Sequence, residues 1–75
     1  MGKCQINNNI RKFRFNQDEM TQQQLADKVG VTRQTIVAIE SGKYSPTLEL
    51  AFRIARVFKV PLEEVFSFIE EGNSN

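Results

Sequence analysis

The chain has 75 residues and a formal net charge of +1, with 40% hydrophobic and 25% charged residues, which limits it to one small globular domain. With no histidine and a single cysteine, Cys4, it lacks an imidazole base, a zinc site and an internal disulfide, so we expect no enzyme, metal or cofactor. It contains no run of about 18 apolar residues and no apolar signal region at its start, which predicts a cytoplasmic protein without a membrane partner.

The charges are unevenly distributed along the chain. Residues 1–44 carry seven Lys and Arg against four Asp and Glu, whereas residues 45–75 carry three against five. A basic first part indicates a surface that faces an anion. Chance scatter of a small net charge explains the same numbers equally well, so the asymmetry alone does not identify a partner.

The first predicted element is a short helix. Residues 1–7 are polar, and we expect them to be flexible. The asparagines at 7–9 offer N-cap side chains for a helix whose apolar side includes Ile10 and Phe13. A polar break over residues 16–19 follows it.

The second predicted helix has a clear start and a clear end. Thr21 and Gln24 have the spacing of a capping box, in which each side chain bonds the other residue's backbone N–H. Met20 and Leu25 flank the box as a hydrophobic staple. Gly30 stands where a helix commonly ends in left-handed geometry. The resulting helix has only about two turns.

A third helix is predicted directly after the second. Thr32 is an N-cap candidate two residues beyond Gly30, and Gly42 suits the end of the helix. Ile36 and Ile39, three residues apart, lie on one side of it. Two short helices joined by a tight turn containing glycine are typical of a helix-turn-helix.

Two further helices complete an all-α prediction. Thr47 caps the fourth, which is the most hydrophobic, and Pro61 fits the first turn of the fifth. No segment alternates like a strand, and residues 70–75 are expected to be a frayed tail. The apolar stripes are Leu48, Ala51, Ala55 and Phe58 in the fourth helix, and Leu62, Val65, Phe66 and Ile69 in the fifth.

The order of these signals resembles a known family. The segments MTQQQLADKVGVTRQTI at 20–36 and IESGKYSPTL at 39–48 are similar to the central part of Cro/repressor-type (Xre-like) helix-turn-helix regulators. The resemblance covers about residues 8–68. It implies a compact five-helix, lambda-repressor-like domain over residues 8–69, with the helix-turn-helix at helices two and three. It also implies a transcriptional regulator that binds double-stranded DNA.

The start of the third helix carries the candidate base-reading residues. Arg33 and Gln34 occupy its first turn, and their side chains suit the major-groove edges of guanine and adenine. Val37, one turn further on, suits a thymine methyl group. Ordinary solvated surface is the alternative interpretation of Arg33 and Gln34.

A second set of residues is expected at the DNA backbone. The family resemblance implies that Gln22, at the start of the second helix, holds a phosphate, and free N–H groups at helix N-termini favour phosphates generally. For Thr32 a capping role alone is an alternative, and for Tyr44 it is packing on the fourth helix. The full predicted set is Gln22, Gln23, Thr32, Thr35, Ser41, Lys43 and Tyr44.

Glu40 is an acidic residue close to these positions. A carboxylate repels phosphate, so a DNA contact does not explain it. The family resemblance implies that Glu40 forms a structural ion pair with an arginine of the first helix, Arg14.

The C-terminal part carries more apolar residues than so small a core easily buries, which predicts self-association. We expect a homodimer on a near-palindromic operator, acting as a repressor, with no small-molecule ligand. The predicted dimer contacts are Val65, Phe66, Phe68 and Ile69. The alternative is a protein-interaction module, such as an antitoxin-like adaptor, on the same scaffold.

Overall fold

The computed structural model describes residues 6–68, and the prediction of a five-helix domain is confirmed. None of the helices in this range has the length and hydrophobicity needed to cross a bilayer. Two short strands, which were not predicted, flank the helices. The elements are β1 (Ile6–Asn8), α1 (Ile10–Asn16), α2 (Gln22–Val29), α3 (Arg33–Glu40), α4 (Leu48–Phe58), α5 (Leu62–Val65) and β2 (Phe66–Phe68).

Three threonines set the starts of the three longest helices, as predicted. The hydroxyls of Thr21, Thr32 and Thr47 each accept the backbone N–H three residues ahead, at 3.0 to 3.2 Å. At Thr21 the capping box is complete, because its own N–H donates to the Gln24 side chain at 2.8 Å. Each cap satisfies an N–H that the helix itself leaves unpaired.

Glycine turns the chain between α2 and α3. Gly30 lies at φ 79°, and its N–H donates to Ala26 at 2.8 Å. An L-residue with a side chain is disfavoured at this φ, so glycine allows α3 to start after only three intervening residues.

The core lies between α2, α3 and α4, with contributions from α1 and α5. Phe13 of α1 stacks on Phe58 of α4 with ring centroids 5.5 Å apart. The two isoleucines that the periodicity assigned to the inner side of α3 are buried there. The six largest fully buried side chains are Ile10, Leu25, Ile36, Ile39, Ile54 and Val65.

The two strands correct the sequence prediction at both ends of the domain. β1 and β2 pair antiparallel, with Ile6 opposite Phe68 and Asn8 opposite Phe66. The expectation of a flexible segment over residues 1–7 is therefore wrong for residues 6 and 7, and residues 1–5 lie outside the described range. A three-residue strand is too short to show an alternating pattern, so no sequence signal marked it.

The last helix is shorter than its apolar spacing suggested. α5 ends at Val65, and Phe66 has extended φ and ψ of −123° and 142°. Val65 is completely buried within the chain, so its predicted role in a dimer contact is wrong. Phe66 is half-buried and Phe68 is exposed, while Ile69 lies outside the described residues.

Candidate nucleic-acid interface

The outer face of α3 presents the three predicted base-reading side chains together. Arg33, Gln34 and Val37 are exposed, whereas Ile36 and Ile39 on the opposite side are buried. At 100° per residue the three exposed positions fall within one arc of the helix. The leading turn of α3 is thus open to a partner.

The first turn of α3 is closed by its N-cap residue. Thr32 accepts the N–H of Thr35, and the two hydroxyls are 3.1 Å apart. Thr35 is half-buried, and its hydroxyl is engaged with Thr32. The cap therefore fixes the direction in which Arg33 and Gln34 leave the helix.

Arg14 and Glu40 form an ion pair beneath this surface. The Nε and Nη2 atoms of Arg14 donate to the two Glu40 carboxylate oxygens at 2.7 and 3.1 Å. Both side chains are largely buried, at 14% and 11% exposure. Arg14 also donates to the Met20 carbonyl at 2.7 Å, and Gln22 donates to Glu40 at 3.2 Å. Glu40 is thus satisfied by α1 and α2 and does not project from the surface.

An open cleft of about 480 Å³ lies where the start of α2, the start of α3 and α1 meet. The N-terminal end of a helix attracts anions because its first N–H groups are free and its dipole is positive there. Three arginines and two glutamates line the cleft, and one arginine and one glutamate form the ion pair. Its lining is Arg11, Arg14, Glu19, Met20, Thr21, Gln22, Gln23, Arg33 and Glu40.

Arg11 is a cleft residue that was not among the predicted site residues. It lies three positions before Arg14, and residues three apart share one face of a helix. This spacing was a usable signal, because the resemblance already paired Arg14 with Glu40, close to the predicted backbone contacts. The neighbouring Lys12 is also exposed but does not line the cleft.

The loop after α3 continues the exposed surface. The Ser41 hydroxyl donates to the Ala38 carbonyl at 3.1 Å, and the Lys43 N–H donates to the same carbonyl at 2.9 Å. Gly42 turns the chain at φ 81°, and the side chains of Lys43 and Tyr44 are exposed. On the α2 side, Gln23 is exposed, and its amide donates to Asp27 at 2.9 Å.

A separate, apolar surface surrounds β2. Phe68 is 64% exposed, Leu48 is 67% exposed, and Phe52 is also exposed on α4. A groove of about 310 Å³ lies beside them. Its lining is Ile6, Pro46, Leu48, Ala51, Leu62 and Phe66, and this surface is called the β2 groove below.

Comparison with known proteins agrees with this geometry. The helix-turn-helix family model HTH_3 matches residues 10–65, which is most of the chain. A protein of Archaeoglobus fulgidus named as an HTH-type transcriptional regulator is 55% identical over 64 residues, covering 83% of this chain and 86% of its own. The HTH-type regulator YgzD of Bacillus subtilis is 49% identical over 53 residues, covering 71% and 79%.

Two more distant matches add detail. The transcriptional repressor RstR of a cryptic CTXphi phage in Vibrio cholerae is 36% identical over 58 residues, covering 77% of this chain and 51% of its own. A crystal structure from Bacteroides fragilis has a TM-score of 0.71 at 22% identity, covering 83% of this chain and 98% of that one. The structural match shows a shared fold.

Proposed function

Because the chain belongs to the Cro/repressor-type helix-turn-helix family of DNA-binding transcriptional regulators, we propose that it is a homodimeric repressor of a near-palindromic operator. One observation supports this proposal most strongly. The capped first turn of α3 is open to a partner and lies beside a cleft with two cationic side chains outside the ion pair, those of Arg11 and Arg33.

Arg33, Gln34 and Val37 read the operator bases in this proposal. The major groove admits one helix, and the N-terminal residues of a recognition helix reach the base edges. Arginine can bind guanine with two hydrogen bonds, and glutamine can bind adenine in the same way. The exposure of all three side chains on one side of α3 supports the assignment.

The phosphates on either side of the groove are held by the surroundings of α3. On one side, Gln22 and Gln23 lie at the start of α2, and Arg11 of α1 lines the same cleft. On the other side lie the exposed Lys43 and Tyr44 of the loop after α3. Within α3 and at its ends, the predicted backbone contacts Thr32, Thr35 and Ser41 complete the set. Contacts of this kind fix the position of the protein on DNA without reading the sequence.

A second copy of the chain covers the β2 groove in this proposal. Phe66 and Phe68 remain the candidate contacts among the described residues, and the exposed Leu48 and Phe52 join them. Large apolar side chains grouped on the surface of a small domain are typical of an interface. A two-fold dimer would place two recognition helices about 34 Å apart, which is one turn of DNA.

Repression is the regulatory mode we propose. The relative RstR is named a transcriptional repressor, and it is 36% identical to this chain over 58 residues. A domain of this size that occupies an operator can repress transcription by sterically blocking polymerase.

Selection of duplexes from a random pool, combined with the solution mass of the protein, tests the proposal. We expect a near-palindromic site, a dimer mass, and an affinity that falls by orders of magnitude between low and moderate salt. A selected site without symmetry, or a monomer mass on DNA, would contradict the homodimer. No retention on any DNA would contradict the function and favour a protein-interaction module.

A further inference from the structure

Three consecutive asparagines, two at the end of β1 and one between β1 and α1, differ sharply in what they contact. Asn7 is exposed. The Asn9 side chain donates to the Glu64 carbonyl in α5 at 3.1 Å. The Asn8 side chain donates to the Ile39 carbonyl at 3.0 Å, and its oxygen accepts the N–H of Ile10 at 3.1 Å. Asn8 therefore joins the start of α1 to the end of α3.

The Ile39 carbonyl lies in the last turn of the recognition helix. The last four carbonyls of a helix have no partner further along it, so groups from outside satisfy them. Here the Gly42 N–H donates to Ile39 at 3.1 Å, and Asn8 adds a donor from 31 residues away in the chain. The hydrogen bond from Asn8 to Ile39 therefore lies at the end of α3, just before the loop that contains Lys43 and Tyr44.

The other end of this connection is the two-stranded sheet. Asn8 is the last residue of β1 and stands opposite Phe66 of β2. The Asn9 N–H donates to the Val65 carbonyl at 2.8 Å, which fixes the strand end to α5. One side chain thus spans from the sheet beside the β2 groove to the end of α3.

We propose that Asn8 is a positioning residue for DNA reading, which sets the angle of α3 relative to the sheet through its bond to Ile39. This inference rests on the proposed function. Hydrogen bonds to base edges demand a defined helix angle, whereas phosphate contacts tolerate small displacements. Loss of the Asn8 donor should therefore reduce specific binding more than non-specific binding.

The substitution Asn8→Asp removes this donor and sets a carboxylate oxygen against the Ile39 carbonyl in its place. The carboxylate keeps an acceptor for the Ile10 N–H and suits the positive end of α1, but it cannot donate to Ile39 when ionised. Asn8→Ala removes both bonds. Asn7→Ala and Asn9→Ala are matched controls, because they make the same chemical change one residue away without touching α3.

The probe is the tightest duplex that the parent protein selects from a random pool, compared with a scrambled duplex of the same composition. We expect Asn8→Asp to lower the ratio of specific to non-specific affinity about three- to tenfold, the size of one lost hydrogen bond. Asn7→Ala should leave this ratio unchanged. Asn9→Ala should lower the melting temperature and leave the ratio unchanged. Faster amide exchange at Gly42 and Lys43 in Asn8→Asp would show that the end of α3 has loosened.

An unchanged ratio in folded Asn8→Asp would overturn the inference while leaving the proposed function intact. An equal loss in Asn9→Ala would also overturn it, because general destabilisation would then explain the effect. A parent protein that selects no duplex contradicts the proposed function itself, and this inference with it. If Asn8→Ala does not fold, Asn8→Asp still decides the question.

Discussion

Arg14 and Glu40, 26 positions apart, meet at two points, 2.7 Å between Nε and Oε2 and 3.1 Å between Nη2 and Oε1. The pair joins α1 to the last residue of α3. It also explains how an acidic residue is accommodated beneath the surface that we propose for DNA binding. The Glu40 carboxylate points inwards and accepts hydrogen bonds from Arg14 and Gln22, so its charge is neutralised within the protein.

Removing Glu40 should harm the fold more than it harms DNA contact. Glu40→Ala leaves Arg14 largely buried without its partner and frees Gln22, so we expect a loss of about 2–3 kcal/mol in the free energy of unfolding. Denaturant titration measures this loss, and Glu49→Ala, in an exposed ion pair with Arg53, is the control with a loss below about 1 kcal/mol. Equal melting temperatures for Glu40→Ala and the parent would contradict the structural role.

The helix-turn-helix was predictable because its signals are local. The caps at Thr21 and Thr32 and the glycine at position 30 each depend on neighbours within a few residues, and all three behave as predicted. The ion pair joins two distant segments, so it came from the family resemblance and not from spacing.

The sheet and the end of α5 were not predictable from local patterns. The spacing of Val65 and Phe66 fits a helix, but pairing with β1 draws Phe66 into extended geometry. That pairing joins residues about 60 positions apart, and no short window of sequence contains both. The different roles of the three asparagines were not predictable for the same reason, because their partners lie far away in the sequence.

Arg33 should determine the base preference at one position of the operator. Arg33→Ala should cost about 1–3 kcal/mol on the selected site and relax the preference at a single position. Competition assays against duplexes varied one base pair at a time measure this directly. Equal weakening on every duplex would contradict base reading and place Arg33 among the phosphate contacts.

Lys43 provides the contrast to Arg33, because its exposed side chain follows α3 in the loop. Lys43→Ala should weaken all duplexes alike and reduce the slope of log affinity against log salt by about one. A change in base preference without a change in slope would contradict its assignment to the backbone.

Arg11 should behave as a phosphate contact and Lys12 should not. Both are exposed cations on α1, but only Arg11 lines the cleft at the start of α2. Arg11→Ala should therefore reduce the salt dependence of binding by about one phosphate, whereas Lys12→Ala should leave it almost unchanged. Salt titrations of the two variants decide between them, and equal effects would mean that only overall charge matters.

Phe68 should support the dimer and not the monomer fold. Phe68→Thr keeps a side chain suited to a strand while removing an aromatic ring that is 64% exposed, so we expect dimerisation to weaken about tenfold. Phe15→Thr is the control, because Phe15 is 67% exposed on α1, whereas Phe68 stands opposite the groove residue Ile6 in the sheet. Sedimentation measures both, and a Phe68→Thr dimer as tight as the parent would place the interface elsewhere.

Glu19 offers a change that should improve stability and DNA affinity together. It follows Asp18 in the turn before α2, and both have left-handed φ near 55°, which disfavours residues with side chains. Glu19→Gly should relieve that cost and stabilise the fold by about 0.5–1 kcal/mol, after the larger entropy of glycine in the unfolded chain is allowed for.

The same substitution removes a negative charge from the lining of the cleft between α1, α2 and α3, so DNA affinity should rise about two- to fivefold at low salt and less at high salt. Glu19→Gln separates the two effects, because it removes the charge but keeps the backbone cost. We expect the glutamine variant to share the gain in affinity and not the gain in melting temperature. If the glycine variant is no more stable than the glutamine variant, the left-handed conformation of Glu19 does not destabilise the fold. If DNA affinity is unchanged in both variants, the DNA backbone does not lie at the cleft.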